Sequence, residues 1–195
     1  ITVHNPRVVG VPQLDRVVGN NSLYSSQLIL SHDTRDIPFL PTEGHYIELG
    51  LSQTFGSFSY PRADIDLRRH FLLNERADGS GRQTLSVIMQ TRFSGSNTPI
   101  YERFFAGGFS TIRGFDFRGA SPVSGGVTVG GTFQFITSVE YLFPLTADDM
   151  VKGVAFCDLG TVEENIAMYA DSFRVSPGFG LRISVPMLGP APLAL

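Results

Sequence analysis

Apolar and polar residues alternate with a period of two along most of the chain, the spacing that sends successive side chains to opposite faces of a strand. In His45 to Phe55, Ile47, Leu49 and Leu51 share one face, and Glu48, Gly50, Ser52 and Thr54 the other. The next run sets Ala63, Ile65, Leu67, Phe71 and Leu73 against Asp64, Asp66, Arg68 and His70. Leu85, Val87, Met89 and Phe93 then oppose Thr84, Ser86, Gln90 and Arg92, and Phe133, Phe135, Val139, Tyr141 and Phe143 oppose Gln134, Ser138 and Glu140. Near the end, Phe173, Val175, Phe179, Leu181, Ile183 and Val185 oppose Arg174, Ser176, Gly178, Gly180, Arg182 and Ser184. Turn-forming residues separate the runs at 38–44, 56–61, 74–81, 94–99 and 146–149. No stretch joins a helical period to plausible caps. The pattern predicts an all-β chain of long strands, each with one apolar and one polar face, interrupted by a single long internal loop.

Two architectures fit. A soluble β-sandwich binding module would hide the apolar face, whereas a transmembrane antiparallel β-barrel turns it outward to lipid. The polar faces mix Arg, Asp, Glu, Gly and Ser, which suits a wet, crowded lumen. Phe55, Phe71, Phe93, Tyr141 and Phe143 fall at strand ends, where an interfacial aromatic girdle would sit. The runs are about ten residues long, enough for a tilted strand to cross a bilayer. These features favour the barrel.

Composition narrows the chemistry. Charged residues are 17% of the 195, and 21 glycines and 16 phenylalanines are present, yet no run approaches the roughly 18 apolar residues of a membrane helix. A formal net charge of −3 without a lysine or arginine cluster gives no attraction to nucleic acid. The one cysteine, Cys157, lies between Phe156 and Asp158 and reads as a packed small hydrophobe. Gly-Gly-Phe-Ser-Thr-Ile-Arg-Gly at 107–114 lacks a P-loop ending, and Gly178-Phe179-Gly180 lacks the third glycine of a dinucleotide fingerprint. His4, His32, His45 and His70 have no metal-ligand spacing. Asp64 with Asp66, or Glu140 with Asp158, could form a hydrolytic pair, but acidic and basic residues on neighbouring strands read more simply as wall ion networks. No catalytic residue, metal site or cofactor is expected.

The long loop has a different character. Tyr101 to Pro122 holds three arginines and five phenylalanines among glycines, too apolar for a solvated loop and too glycine-rich for a core element. The segment Pro99 to Gly108, followed by Ser110-Thr111-Ile112-Arg113-Gly114-Phe115, resembles the long sixth extracellular loop of the BamA-type outer-membrane assembly factors. Asp33-Thr34-Arg35-Asp36 with Pro38 to Gly44 is similar to the strand end and F-P-T-x-G turn of that family. Ser138-Val139-Glu140-Tyr141, Phe156 to Val162, and Gly178 to Arg182 followed by Leu188-Gly189-Pro190 resemble later family segments in the same order. The likeness runs from about Ser25 to Leu195.

The resemblance implies the second half of a barrel of about sixteen strands, set in the outer membrane of a bacterium and preceded by periplasmic POTRA domains. Residues 189–195 would begin the penultimate strand, leaving the closing strand outside this sequence; the ends at Ile1 and Leu195 read as cuts within a longer chain. It implies a non-enzymatic factor that inserts unfolded outer-membrane protein precursors, with accessory lipoproteins as partners. A two-partner secretion transporter sharing the R-G-F/Y loop is the alternative on the same fold. In the family the arginine of that motif folds into the lumen against acidic residues, so Arg113 would pair with Glu140 and Asp158. Gly107 and Gly108 would act as the hinge of the loop, Gly114 would allow close approach, and Phe115 would pack on the wall.

Overall fold

The computed structural model describes residues 1–3, 10–166, 172–185 and 193–194. In chain order the elements are β1 (Thr2–Val3), helix α1 (Pro12–Asp15), β2 (Gly19–Asn20), β3 (Leu23–Asp33), β4 (Gly44–Gly56), β5 (Tyr60–Asn74) and β6 (Gln83–Ser94). A 3-10 turn (Ile100–Glu102) follows, then β7 (Val123–Ser124), β8 (Val127–Thr128), β9 (Phe133–Pro144), β10 (Val151–Glu163), β11 (Arg174–Ile183) and β12 (Leu193–Ala194). Eight strands form one sheet in the order β12-β11-β10-β9-β6-β5-β4-β3. Each neighbour is the next strand of that sheet in sequence and every pairing is antiparallel, the up-and-down meander of a barrel wall. Residues 95–132 leave the wall after β6 and return at β9, and the two strands still pair from Thr84↔Leu142 to Phe93↔Phe133.

Register turns the alternation into two surfaces. One row reads Ile47, Leu67, Met89, Thr137, Leu159 and Val175 across six strands; the row one residue along reads Glu48, Asp66, Gln90, Ile136, Gly160 and Arg174. On the apolar side Leu28, Leu30, Ile47, Leu51, Val139, Val175 and Phe179 are all exposed. No second sheet covers them among the described residues, so the sandwich reading fails and the buried core lies on the other face. The described residues contain no helix long and apolar enough to cross a membrane. The crossing belongs to strands of 10 to 15 residues.

Four local features depart from the periodic reading. In β3 the run Leu28-Ile29-Leu30 hides the alternation, although Ile29 pairs with inward Gly50 and Leu30 with outward Leu49. In β10 the inward face is itself apolar at Val154, Phe156, Gly160 and Val162, because the long loop packs against part of it. Val123-Ser124-Gly125-Gly126-Val127-Thr128 is a small hairpin inside the loop, and its Gly-Gly pair is the sequence signal for that turn. Cys157 is exposed, not packed: its odd position in β10 places it on the outward face. A smaller cluster of Val17, Phe58 and Tyr60, with Ile100 and Tyr101 against it, ties the first residues to the start of the loop. Of the segment 188–195, only Leu193 and Ala194 are described; they pair with Ile183 and Arg182. Leu188-Gly189-Pro190 and the other positions of that reading lie outside the described residues, as does His4.

Candidate functional site

Residues 95–132 fold back against the inner face of β9 and β10. Phe104 and Gly131 exchange two backbone bonds of 2.9 Å, closing the loop's neck. The Ala106 N–H donates to Ser121 Oγ at 2.8 Å, and Ala120 N–H to the Ala106 carbonyl at 2.9 Å. The Gln134 amide, on β9, donates to the Phe105 carbonyl at 2.9 Å. Phe104, Ala106, Ile112 and Ala120 from the loop bury against Ile136 of β9 and Val162 of β10, with Phe115 packed on the cluster. The lumen therefore holds an apolar core of its own, which explains why Ile136 and Val162 occupy inward positions.

Of the loop's left-handed residues, Gly107–Gly108 and Gly114 flank Arg113. Gly107 and Gly108 have φ of +110° and +100°, and a Cβ on Gly107 would stand 2.4 Å from the Asp116 carbonyl oxygen. Gly114 has φ of +83°, with Ser176 Oγ only 2.9 Å from where a Cβ would sit. Both positions need a residue without a side chain.

Between them Arg113 reaches the wall. Its Nε donates to Asp158 Oδ2 at 2.7 Å and Nη2 to Asp158 Oδ1 at 2.6 Å, a bidentate fork, while its backbone N–H adds a bond of 3.0 Å to Oδ2. Nη1 lies 2.6 Å from Glu140 Oε1. Nη2 also donates to Ser138 Oγ at 2.9 Å, and the Ser138 hydroxyl donates to Asp158 Oδ1 at 2.6 Å. The guanidinium carbon lies 3.5 Å from the centre of the Phe156 ring. Burial alone would push the Arg113 pKa down; its hydrogen bonds to Asp158 and the charge of Glu140 raise it instead, so the cation is fixed. Asp158 has a side chain only 1% exposed.

Sequence reasoning did not find Ser138, Phe156 or Arg182 at this site. Parity was the available signal: Ser138 precedes Glu140 by two residues and Phe156 precedes Asp158 by two, so each shares its face. Arg182 of β11 lies 3.9 Å from the same Glu140 oxygen that Arg113 takes. The other carboxylates are similarly engaged. Asp64 stands 3.5 Å from Arg92, while Asp66 pairs with Arg68 at 2.7 Å and accepts from Gln90 at 2.9 Å. Of the described histidines, His32 and His45 stack on each other, whereas His70 stands apart, buried against Ser86 on the inner face.

The fold and loop have counterparts among known proteins. The Omp85 superfamily domain matches residues 6–195. The outer membrane protein assembly factor BamA of Nitratidesulfovibrio vulgaris is 24% identical over 177 residues, covering 87% of this chain and 22% of that protein. A SAM50-like protein of Schizosaccharomyces pombe is 24% identical over 148 residues, covering 72% of this chain and 31% of its own length. The crystal structure of BamA from Haemophilus ducreyi lacking POTRA domains 1–3 superposes with a TM-score of 0.72 at 19% identity, covering 87% of this chain and 37% of that one, a likeness of fold. This chain thus spans less than a third of either curated relative. With a domain match over nearly its whole length, a meander that turns its apolar face outward and a long loop folded against the inner one, the chain belongs to the Omp85 superfamily, as part of an outer-membrane β-barrel.

Proposed function

We propose that this chain is the barrel portion of a factor that folds and inserts β-barrel precursors into the outer membrane, without a chemical reaction of its own, and that Arg113 latches the 101–122 loop inside the lumen. The observation that carries the first half is the pair of relatives: a bacterial BamA and a yeast SAM50-like protein align over most of the chain. Unfolded outer-membrane precursors are then its clients, accessory lipoproteins its partners and the bilayer its surroundings. The latch is supported by the four bonds and contacts that hold the guanidinium to Asp158, Glu140 and Ser138, and by the bond from the Arg113 backbone N–H to Asp158. Gly107 and Gly108 serve as its hinge, and Gly114 and Phe115 seat it.

Depletion of the full-length protein in its native host tests the assembly role. Unfolded precursors of other outer-membrane barrels should accumulate as the protein is lost. Normal maturation of those barrels, with one secreted polypeptide retained instead, would establish a secretion transporter. Complementation by Arg113→Ala tests the latch separately: the variant should restore little barrel assembly, and full restoration would remove the loop's role.

A further inference from the structure

Three side chains at the end of the sheet opposite the long loop do not belong to the lumen. His32, the penultimate residue of β3, pairs in register with Ile47, while His45 near the start of β4 pairs with Arg69 of β5, and Arg69 with Val87 of β6. Cross-strand partners share a face, and this is the outward one, where Leu28, Leu30 and Ile47 are exposed. The three form a chain of contacts. An Arg69 guanidinium nitrogen lies 3.1 Å from His45 Nδ1, and His45 Nε2 lies 3.2 Å from His32 Nδ1. A guanidinium only donates, so His45 Nδ1 accepts, its Nε2 carries the hydrogen and donates to His32, and the remaining hydrogen of His32 resides on Nε2. The rings stack at 5.1 Å, and the Arg69 guanidinium lies 5.2 Å from the Phe71 ring centre.

The cluster therefore presents only donors: the other N–H groups of Arg69 and Nε2–H of His32. Among the described residues no carboxylate pairs with Arg69. The nearby Asp33 projects to the opposite face, where Arg35 holds both its oxygens at 2.9 and 2.7 Å. A cation on the lipid-facing side of a membrane barrel is costly unless it reaches the headgroup level or an anion. On β3 and β4 the outward apolar run ends at this cluster, and on β5 the exposed Phe71 and Leu73 lie just beyond it, which places it at the interfacial border of the hydrocarbon.

We propose that Arg69, His45 and His32 form a binding site for the phosphate of a membrane phospholipid headgroup, with Leu30 and Ile47 against the upper part of its chains. The site is separate from Arg113 and from the assembly reading, since both could fail while it stands. Purified full-length protein in nanodiscs of phosphatidylcholine containing phosphatidylglycerol, released for native mass spectrometry, provides the test. Only the heat-shiftable, folded species is counted. Wild type should retain phosphatidylglycerol, and Arg69→Leu and His32→Leu should each reduce that retention, by roughly fivefold for loss of the cation. Leucine suits a lipid-facing strand position, so His32→Leu keeps the measurement available if Arg69→Leu folds poorly. Equal retention by wild type and His32→Leu would overturn the site. Displacement of the lipid by inorganic phosphate at matching concentration would also overturn it, as a site for free anions.

Discussion

Removing Arg113 would strand Asp158, whose side chain is 1% exposed and whose two oxygens both accept from that arginine. An uncompensated charge of this kind costs about 3–5 kcal/mol. Arg113→Ala should therefore lower the temperature at which the folded barrel loses its fast gel mobility, and Asp158→Asn should recover part of that loss in the double variant, because the stranded charge is then gone. Additive effects would mean the two residues do not act on each other. A second carboxylate governs acid sensitivity at the other end of the wall. Burial pushes the Asp36 pKa up, but the Thr42 hydroxyl at 2.6 Å and the Thr42 and Glu43 N–H groups at 2.9 and 3.3 Å outweigh it and hold the group below the ordinary carboxylate range. A depressed pKa contributes stability above the unfolded value, lost as pH falls through the folded one. Wild type should exceed Asp36→Asn in stability at neutral pH, with the gap closing as pH drops below the ordinary carboxylate range; denaturant titrations across that interval check it.

At the scale of elements, β4, β5, β6 and β11 were legible because each has lipid on one side and a polar lumen on the other, and two solvents impose a period of two; β9 was legible through its inward Gln134, Ser138 and Glu140, although Ile136 between them packs on the loop. β10 was not, since its inner side meets a piece of the same chain: Val162 packs where a polar residue would otherwise face water. β3 was obscured by Leu28-Ile29-Leu30, in which Ile29 sits inward beside Gly50. Hydrophobicity reports the partner of a face and cannot say whether that partner is lipid or loop. Arg113 and its two acids could be named only because the loop motif resembled a family; spacing alone offered several carboxylates. The loop's dependence on β9 and β10 gives a prediction at this scale. Ile112 is fully buried between them, and Ile112→Ala should cost about 2–5 kcal/mol. The loss should appear as faster tryptic cleavage after Arg118, with the wall strands still protected; unchanged cleavage would show that the apolar contact does not hold the loop.

For the whole molecule, the wall has its apolar band outside and two distinct interiors: an ion-paired region along β4 to β6 and an apolar one under the loop. Cys157, central in β10 and exposed on the outward side, reports on that orientation. In membranes it should react with an apolar maleimide and resist a charged, water-soluble one, and dissolution in detergent should change the ratio; equal labelling by both in membranes would contradict the assignment of faces. The apolar interior has a further consequence, for permeation. Withdrawing the loop would open the lumen only by wetting Ile136, Val162 and the ring of Phe156 while leaving Asp158 without its cation. The free energy of those exposures adds to the barrier for any ion or unfolded chain crossing along the barrel axis. The loop is therefore a tight stopper: the same contacts that build the inner side of β9 and β10 oppose its removal, and they raise the barrier to passage along this side of the barrel.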